Sequence, residues 1–386
     1  MKMINYLNYK DPFGLYIHIP FCKSKCNYCD FYSIKAYKNL MDEYISNLKE
    51  EIKLYSDRLI THKIKTIYIG GGTPSILTSE TVNDILKTIS ENFVVKDRIE
   101  ITIEANPESL NKDKIKGYIE AGINRLSLGV QSFLNKELTF LGRIHEVEES
   151  LNNIEIIKNK FDNFSIDLIF AIPGQTFQEF KQSLDQAIDL NPPHISLYNL
   201  QIEEGTLLNK RLNNNDIKKI SEELDYKMYN FAIEQLTKND YKHYEISNFA
   251  KKGYESKHNI IYWNYEAYLG LGPSAHGFNG SDRYYNLKDI KSYNDKLAKN
   301  KLPIKKIIEL SKEELITERM IMGLRLKKGV DKNNFKNRFG ISIYDVYGEA
   351  ISKLKKEKLI KVDEEKIILT KKGINLGNIV LAEFLL

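Results

Sequence analysis

The three cysteines of this 386-residue chain are the residues best suited to chemistry, because all of them lie within eight positions. Cys22, Cys26 and Cys29 follow a C-x3-C-x2-C spacing, and Tyr28 stands just before the last of them. Each thiolate could bind one iron of a cubane iron–sulfur cluster, whose ordinary protein complement is four cysteines. One iron would then lack a protein ligand, and an open coordination position is how a metal site binds and activates a substrate.

Two other uses of the cysteines fit the sequence less well. A disulfide framework needs an even number of thiols and is typical of short secreted chains, whereas this long chain has three thiols. A Cys3His zinc site that includes His18 is an alternative, although zinc sites usually take two ligand pairs from separated segments. Buried structural cysteines would not cluster in this way. The sequence therefore favours an iron–sulfur cluster.

The composition is that of a globular protein without a strong charge. The 57 basic and 52 acidic side chains leave a formal net charge of +5, and hydrophobic residues make up 42% of the chain. This balance gives no reason to expect nucleic acid as a partner. The first residues contain no apolar run typical of a signal sequence, and no stretch approaches the ~18 apolar residues of a membrane span. We therefore predict a cytoplasmic protein, because a reducing compartment keeps thiols free.

Strands that alternate with helices must position the cysteine loop. The predicted strands are 14–20, 65–69, 99–104, 125–130, 165–170 and 194–200, and the predicted helices are 40–59, 79–92, 112–121, 146–160, one that opens with a Thr176–Glu179 capping box, and 216–236. This order predicts parallel βα units with right-handed crossovers, here a partial (β/α)6 barrel of the α/β class. The cysteine loop follows the first strand, at the C-terminal edge where α/β barrels keep their chemistry.

Further residues suited to ligand binding end the predicted strands at the same edge. Gly70, Gly71 and Gly72 follow the second strand and would let the backbone approach a ligand closely. The polar side chains expected around this mouth are Glu104, Gln131, Arg143, Asp167 and Asn199. Strands of valine, isoleucine and leucine have no packing use for such groups, because a buried charge is costly unless it is paired. A structural network in which Glu104, Arg143 and Asp167 pair with one another is the alternative, and it does not exclude contact with a cofactor.

Residues 238–308 form a segment dense in aromatic residues and glycine. We expect irregular binding structure there, laid across the barrel mouth. His258 and the only tryptophan, Trp263, could bind a flat aromatic ligand by axial ligation and stacking. The alternative is that His258 is a structural histidine with satisfied hydrogen bonds, which is the commoner role of a histidine beside aromatic residues.

Residues 309–386 form a smaller unit after the barrel domain (1–237) and the connecting segment (238–308). Three helices, at 312–322, 332–339 and 343–357, precede a hairpin of 359–362 with 366–370 and a final helix, which predicts a winged-helix-like α+β domain. Its basic side chains are Lys353, Lys355, Lys356 and Lys358. Acidic residues interrupt this stripe, so we interpret it as a solvated face and expect no nucleic-acid partner.

Eight ordered motifs resemble one family from end to end. They are YIHIPFCKSKCNYCDF, GGGTPS, EANPES, GVQSF, LGRIHE, DLIFAIPGQT, YEISNFA and HNIIYW. The chain is similar to the anaerobic (oxygen-independent) coproporphyrinogen III oxidase family of radical S-adenosylmethionine (SAM) proteins, which includes heme chaperones. In the radical SAM superfamily, SAM binds the unique iron of a [4Fe-4S] cluster, and the reduced cluster cleaves SAM to a 5′-deoxyadenosyl radical.

The resemblance implies which residues hold the cofactors. It assigns one [4Fe-4S] cluster to Cys22, Cys26 and Cys29. The residues that it places against SAM are Tyr16, Tyr28, Gly71, Gly72, Thr73, Glu104, Gln131, Arg143 and Asp167. The HNxxYW signature, which similar proteins use for heme, assigns heme to His258, Asn259, Tyr262 and Trp263.

Two functions follow from the resemblance. A heme chaperone would bind heme and hand it to respiratory hemoproteins, with an electron donor for the cluster and peripheral membrane association as further expectations. A coproporphyrinogen dehydrogenase would instead abstract a propionate hydrogen from coproporphyrinogen III and release carbon dioxide during porphyrin biosynthesis. The dehydrogenases have a longer N-terminal extension and a fourth cysteine two residues after the third, where this chain has Phe31. Both departures favour the chaperone, and we assign no catalytic residue.

Replacing Cys26 with serine should abolish the cluster, because three thiolates are the minimum protein set for a cubane with one open iron. We expect about one cluster per chain in the anaerobically reconstituted parent and almost none in the variant, measured as bound iron and acid-labile sulfide. A variant that keeps the parent's iron and sulfide would contradict this assignment. So would a purified parent that holds zinc and takes up no iron.

Overall fold

The computed structural model describes residues 12–59 and 62–386. Its strands are β1 (Phe13–Ile19), β2 (Phe21–Cys22), β3 (Ile34–Lys35), β4 (Lys63–Gly71), β5 (Val94–Ala105), β6 (Arg125–Gln131), β7 (Phe164–Phe170), β8 (His194–Asn199), β9 (Lys242–Glu245), β10 (Asn248–Ala250), β11 (Tyr268–Leu271), β12 (His276–Phe278), β13 (Asp282–Asn286), β14 (Ile304–Glu309), β15 (Val330–Asp331), β16 (Ile360–Val362) and β17 (Lys366–Leu369).

The helices enclose the sheet and build the C-terminal unit. They are α1 (Lys38–Leu59), α2 (Ser79–Asn92), α3 (Lys112–Glu120), α4 (Asn135–Leu141), α5 (Val147–Lys158), α6 (Phe177–Asp189), α7 (Leu207–Asn213), α8 (Glu222–Lys238), α9 (Lys257–Trp263), α10 (Ile290–Leu297), α11 (Lys312–Leu324), α12 (Lys332–Phe339), α13 (Ile343–Lys356), α14 (Lys371–Asn375) and α15 (Gly377–Ala382). Among the described residues, no helix is both long and apolar enough to cross a membrane.

A twelve-stranded sheet carries the fold, in the order β14-β13-β12-β11-β1-β4-β5-β6-β7-β8-β10-β9. From β1 through β8 the strands of this sheet pair in parallel, and helices connect them. The strand β1 is buried along almost its whole length, as expected for a strand covered on both faces. The α/β class and the six predicted parallel strands are therefore confirmed.

Helix starts follow the capping rules where the sequence offers a clear signal. Thr176 and Glu179 form the predicted capping box at the start of α6. The predicted start of the long helix at residue 216 is wrong, because α8 begins after Ser221, whose side chain accepts the backbone N–H of Leu224. The short helices α4 and α7 were not predicted, since seven residues give too few turns for a clear apolar period.

The interpretation of 238–308 as irregular structure across the barrel mouth is wrong. Its strands extend the sheet beyond β8 on one side and beyond β1 on the other. Helix α9 lies nearer the opposite end of the strands, because the backbone N–H of His258 donates to Glu100 and its ring contacts Thr66. Tyrosine and phenylalanine, which suggested ligand-binding loops, are also residues that strands favour.

The C-terminal unit has a hydrophobic core of its own. Buried residues from Ile316 to Phe384 form this core, whereas the main core includes residues from Phe13 to Leu297. The three predicted helices and the hairpin are present as α11, α12, α13, β16 and β17, and β15 adds a third strand. The predicted final helix is divided at Leu376 into α14 and α15.

A buried carboxylate joins the first helix to the added edge of the sheet. Glu51 of α1 is fully buried. Its carboxylate accepts hydrogen bonds from the Gly272 N–H (2.8 Å), the Asn286 amide (2.8 Å) and the Tyr293 hydroxyl (2.7 Å). Burial raises the pKa of Glu51 to about 7, although these three bonds oppose the shift. One side chain therefore ties α1 to the β11–β12 connection, to β13 and to α10.

Replacing Glu51 with alanine should lower the free energy of unfolding by about 2–4 kcal/mol, because buried donors lose their acceptor. Chemical denaturation monitored by circular dichroism measures the change. The matched control is Glu50→Ala, which removes a side chain that is 46% exposed and forms a surface ion pair with Lys53. We expect the control to cost about 0.5 kcal/mol or less. Equal effects of the two substitutions would contradict the proposed role of Glu51.

The cost of Glu51→Ala should also depend on pH. The folded state holds the Glu51 proton more tightly than the unfolded chain, so the contribution of Glu51 to stability falls as pH rises from about 4.5 to about 7. Alanine has no proton to exchange. The destabilisation should therefore be larger near pH 5 than near pH 8, and a loss that grows with pH would contradict the raised pKa.

Candidate functional site

A cavity of about 440 Å³ opens where the parallel strands end, with the cysteine loop on one side. The predicted residues that line it are Cys22, Cys26, Cys29, Tyr28, Gly71, Gly72, Thr73, Glu104, Gln131, Arg143, Asp167 and Asn199. We call it the polar cavity. Tyr16 is the one predicted SAM residue outside its lining, because it faces a neighbouring cavity. The structure thus brings together side chains that are up to 177 positions apart, from Cys22 to Asn199.

The cysteine loop is held at both ends. The short strands β2 and β3 pair in parallel, so Phe21 lies beside Ile34 where the loop returns. The Thr73 hydroxyl donates to Cys22 Sγ at 3.5 Å, and Arg143 Nη1 donates to Cys26 Sγ at 3.4 Å. Donors of this kind stabilise negative charge on the sulfur atoms, which a metal-bound thiolate carries.

The three thiols do not converge on a point that would suit a single metal ion. Throughout residues 12–59 and 62–386, no three His, Cys, Asp or Glu side chains converge as a single metal ion requires. His18, the fourth ligand of the zinc alternative, is buried, with its Nδ1 2.9 Å from the Tyr16 hydroxyl and its Nε2 2.9 Å from the Tyr32 carbonyl. Burial raises the pKa of Cys29 to about 11. Cationic iron would offset this cost and hold the thiolate form.

The glycine loop is packed against the cysteine segment. Gly71 has a φ of +118°, which favours glycine, and a Cβ on Gly72 would lie 2.7 Å from the Phe21 carbonyl. The N–H groups of Gly72 and Thr73 donate to the carbonyls of Ile19 and Phe21, each at 2.8 Å. We predicted that the glycine backbone would approach a ligand closely; the structure shows that it approaches the cysteine segment of the same chain instead. We expect the loop to meet SAM through its carbonyl oxygens, since its amides are already bonded.

The charged residues of the polar cavity have separate partners. Glu104 accepts from the Tyr68 hydroxyl at 2.7 Å and from the Gly71 N–H at 3.0 Å, and burial raises its pKa to about 7. Asp167 accepts from Ser127 at 2.7 Å and from Ser165 at 3.2 Å, and burial raises its pKa as well. Arg143 donates to the Gly129 carbonyl at 3.1 Å. The alternative in which Glu104, Arg143 and Asp167 pair with one another is wrong.

The sequence interpretation missed the deeper half of the polar cavity. The unpredicted lining side chains include Tyr68, Thr102, Arg125, Ser127, Ser165, His194, Ser196 and Ser256, and Asn259, which the sequence assigned to heme, lies in the same wall. A signal existed for part of this wall, because Thr102 and Glu104, like Ser165 and Asp167, stand two positions apart along one strand and so share a face. Following Glu104 and Asp167 back by two positions would have located Thr102 and Ser165, whereas the rest of this wall comes from contacts that no local spacing shows.

A second cavity, of about 500 Å³, lies on the other side of β1. Its aromatic lining consists of Tyr16, Phe31, Tyr32, Tyr262, Trp263, Tyr265, Tyr268 and Phe278. We call it the aromatic cavity. Asp30 and Phe31 line both cavities, so the end of the cysteine loop separates them.

The HNxxYW residues are divided between the two cavities. Tyr262 and Trp263 line the aromatic cavity, and Asn259 lines the polar cavity. His258 is fully buried, with its Nδ1 2.8 Å from the Thr66 hydroxyl and its Nε2 2.8 Å from the Tyr262 hydroxyl. Burial lowers the pKa of His258 to about 3. The structure thus gives His258 the satisfied hydrogen bonds of the structural alternative, and its role as a heme ligand stays a prediction.

Comparisons with known proteins agree with this geometry. The model of the Radical SAM superfamily matches residues 16–187, and that of the HemN C-terminal domain matches residues 310–376. The heme chaperone HemW of Lactococcus lactis is 40% identical over 376 residues, which cover 97% of this chain and 98% of that protein. HemW of Bacillus subtilis is 37% identical over 374 residues, which cover 96% and 98%. The chain belongs to the HemW family.

The fold of this HemW family member has a close counterpart among solved structures. The coproporphyrinogen III oxidase HemN from Escherichia coli, a radical SAM enzyme, superposes with a TM-score of 0.87 at 24% identity, and the match covers 99% of this chain and 92% of that chain. Identity at this level supports the shared fold only. The partial barrel with its C-terminal domain is therefore confirmed.

The residues of the polar cavity fit the cofactors that the Radical SAM superfamily implies. Cys22, Cys26 and Cys29 would hold a [4Fe-4S] cluster, and the surrounding carboxylates, Arg143 and glycine loop would hold SAM. A bound cluster and SAM supply one-electron chemistry. The chain itself orients the thiols, places donors beside their sulfur atoms and surrounds the site with polar groups.

Glu104 should act mainly by holding the glycine loop, because both of its oxygens already accept hydrogen bonds from the chain. We expect Glu104→Ala to weaken SAM binding by about tenfold or more, a loss equivalent to one charge-assisted hydrogen bond. Glu104→Gln can still accept from Gly71 and donate to Tyr68, so it should lose less. Equilibrium binding of SAM to the anaerobically reconstituted variants measures both effects. A glutamine variant as weak as the alanine variant would show that the charge itself recognises SAM.

Proposed function

We propose that this chain is a heme chaperone, which binds heme and transfers it to hemoproteins. The observation that carries the proposal is the aromatic cavity beside the cysteine loop, in a chain that is 40% identical to a curated heme chaperone over nearly its full length. The two residues that end the HNxxYW signature, Tyr262 and Trp263, form part of its wall.

The chemistry of the aromatic cavity suits an iron porphyrin. Its volume of about 500 Å³ is within the ~300–1,000 Å³ range of small-molecule sites. Eight aromatic side chains offer flat apolar surface for the porphyrin faces. Arg283 and Lys288 also line the cavity and could pair with the two propionates.

Cofactors and partners beyond heme are also part of the proposal. We propose that the cluster and SAM assist heme handling, and that the cluster receives electrons from a separate donor. Respiratory hemoproteins are the recipients that we favour, with transfer at the membrane surface. We place the chain in the cytoplasm, because a reducing compartment keeps the thiols of Cys22, Cys26 and Cys29 available for iron.

One feature distinguishes the chaperone from the dehydrogenase at the cluster itself. Phe31 stands where the dehydrogenases carry a fourth cysteine, and its side chain is 64% exposed at the boundary of both cavities. An exposed phenylalanine there adds to the aromatic wall and offers no sulfur. Phe31 therefore favours the heme chaperone over the coproporphyrinogen dehydrogenase as the function of this chain.

The wild-type chain should bind about one heme and form no protoporphyrinogen from coproporphyrinogen III. Trp263→Ala should weaken heme binding by about tenfold, because it removes a large aromatic surface from the cavity. Heme titration followed by absorption spectroscopy, beside product analysis of the anaerobic reaction with SAM, measures both.

The matched control is Tyr344→Ala, which removes a 46% exposed aromatic side chain that is not part of either cavity lining. It should leave heme binding unchanged. Protoporphyrinogen formation at useful rates, with a heme affinity indifferent to Trp263, would support the dehydrogenase instead.

A further inference from the structure

Two histidines line the aromatic cavity, and only one of them has ring nitrogens available to a metal. They are His18 and His276. His18 is buried, and both of its nitrogens lie 2.9 Å from protein oxygen atoms, those of Tyr16 and Tyr32. His276 is exposed at the cavity, and no group in the described part of the chain hydrogen-bonds its ring. Its contact is instead a stacking of its ring on Tyr285, with 5.4 Å between the centroids.

His258, the histidine of the HNxxYW signature, is placed differently. It is fully buried and is absent from the lining of the aromatic cavity. Its ring bridges Thr66 and Tyr262, and its backbone N–H donates to Glu100 at 3.0 Å. Ligation of an iron by this ring would require breaking a buried hydrogen bond and moving the start of α9.

We infer that heme occupies the aromatic cavity with His276 as an axial ligand of its iron, and that His258 is a positioning residue. This inference rests on the proposed function and deepens it. His258 acts through its hydrogen bond to the Tyr262 hydroxyl, which fixes one aromatic wall of the heme site. Residues of the HNxxYW signature then form one wall of the heme site, and the axial ligand of the iron, His276, comes from a later part of the chain.

The backbone around His276 is rigid, as a metal ligand requires. His276 begins the strand β12 and pairs with Tyr285 of β13. A Cβ on Gly270 would lie 1.9 Å from the His276 carbonyl oxygen, and a Cβ on Gly277 would lie 2.1 Å from the Tyr284 ring. Neighbouring strands thus hold the backbone on both sides by contacts that only glycine permits.

The charge around His276 suits a neutral imidazole and an anionic ligand. Burial, and secondarily the charge of Arg283, lowers the pKa of His276, so the metal-binding neutral form is favoured. Arg283 pairs with Glu318 at 2.8 Å, and Lys288 lies over the Tyr32 ring. Two carboxylates also line the cavity, Asp30 and Glu266, and Glu266 is neutralised by an ion pair with Lys65.

Unpaired donors in the cavity wall point to a ligand with acceptor atoms. The Nε1 of Trp263 and the Nε of Arg283 are buried and have no hydrogen-bond partner in the described chain. Both residues line the aromatic cavity. Buried donors without partners are costly, and a propionate oxygen is an acceptor that would satisfy them.

The test replaces His276 with phenylalanine, which keeps a flat ring on Tyr285 and removes both nitrogens. Heme titrations of the full-length chain, followed by absorption and resonance Raman spectroscopy, report affinity and axial ligation separately. We expect the wild type to show a histidine-ligated iron, and His276→Phe to lose that signature and about tenfold or more in affinity. Added imidazole should restore the signature in His276→Ala. Because His276 is exposed, the melting temperatures of the variants should match that of the wild type.

The comparison variant is His258→Gln, whose amide can still bond to Thr66 and Tyr262. It should keep the histidine-ligated signature, with at most a modest loss of affinity. If His276→Phe keeps the signature and His258→Gln loses it, the inference is overturned while the proposed function stands. If the wild type binds no heme, the proposed function itself fails.

Discussion

The contact between the glycine loop and the end of β1 is the constraint on which the site depends. Two backbone hydrogen bonds, from Gly72 to Ile19 and from Thr73 to Phe21, join the loop to the cysteine segment. A side chain at position 72 would meet the Phe21 carbonyl and Cys22 Sγ. Glu104 secures the other side of the loop through the Gly71 N–H. These contacts hold the thiols, the glycine loop and the third parallel strand, β5, as one unit. A change in any one of the three would displace the other two.

A row of contacting rings, formed by Tyr16, Tyr68, His258 and Tyr262, lies between the polar cavity and the aromatic cavity. Tyr16 lines the aromatic cavity and Tyr68 lines the polar cavity, and their rings stack with 6.2 Å between centroids. Tyr68 also stacks on His258, which contacts Tyr262 edge to face. His258 is thus fully buried between a tyrosine of the polar cavity and a tyrosine of the aromatic cavity. This arrangement would allow SAM in the polar cavity and a porphyrin in the aromatic cavity to lie close to the same cysteine loop.

Local pattern was enough to predict the parallel sheet and the residues at the mouth of the polar cavity, but not its deeper half. Six apolar strands, each followed by polar or glycine residues, can place those residues at one edge only, and the structure has Glu104, Gln131 and Asp167 there. The pattern could not reveal that α9 contacts Glu100, 158 positions before His258, because no local period encodes a contact at that range. For the same reason the pattern could not show that Tyr16 lines the aromatic cavity, or that β12 and β13 place His276 beside it.

The most direct test of two separate chambers is the affinity for SAM, measured by calorimetry on the cluster-loaded chain with and without saturating heme. Separate cavities predict that about one SAM binds per chain in both conditions, with affinities that agree within about threefold, a difference of less than about 1 kcal/mol. Displacement of SAM by heme would mean that both ligands compete for the polar cavity. That result would contradict the division of the site described here.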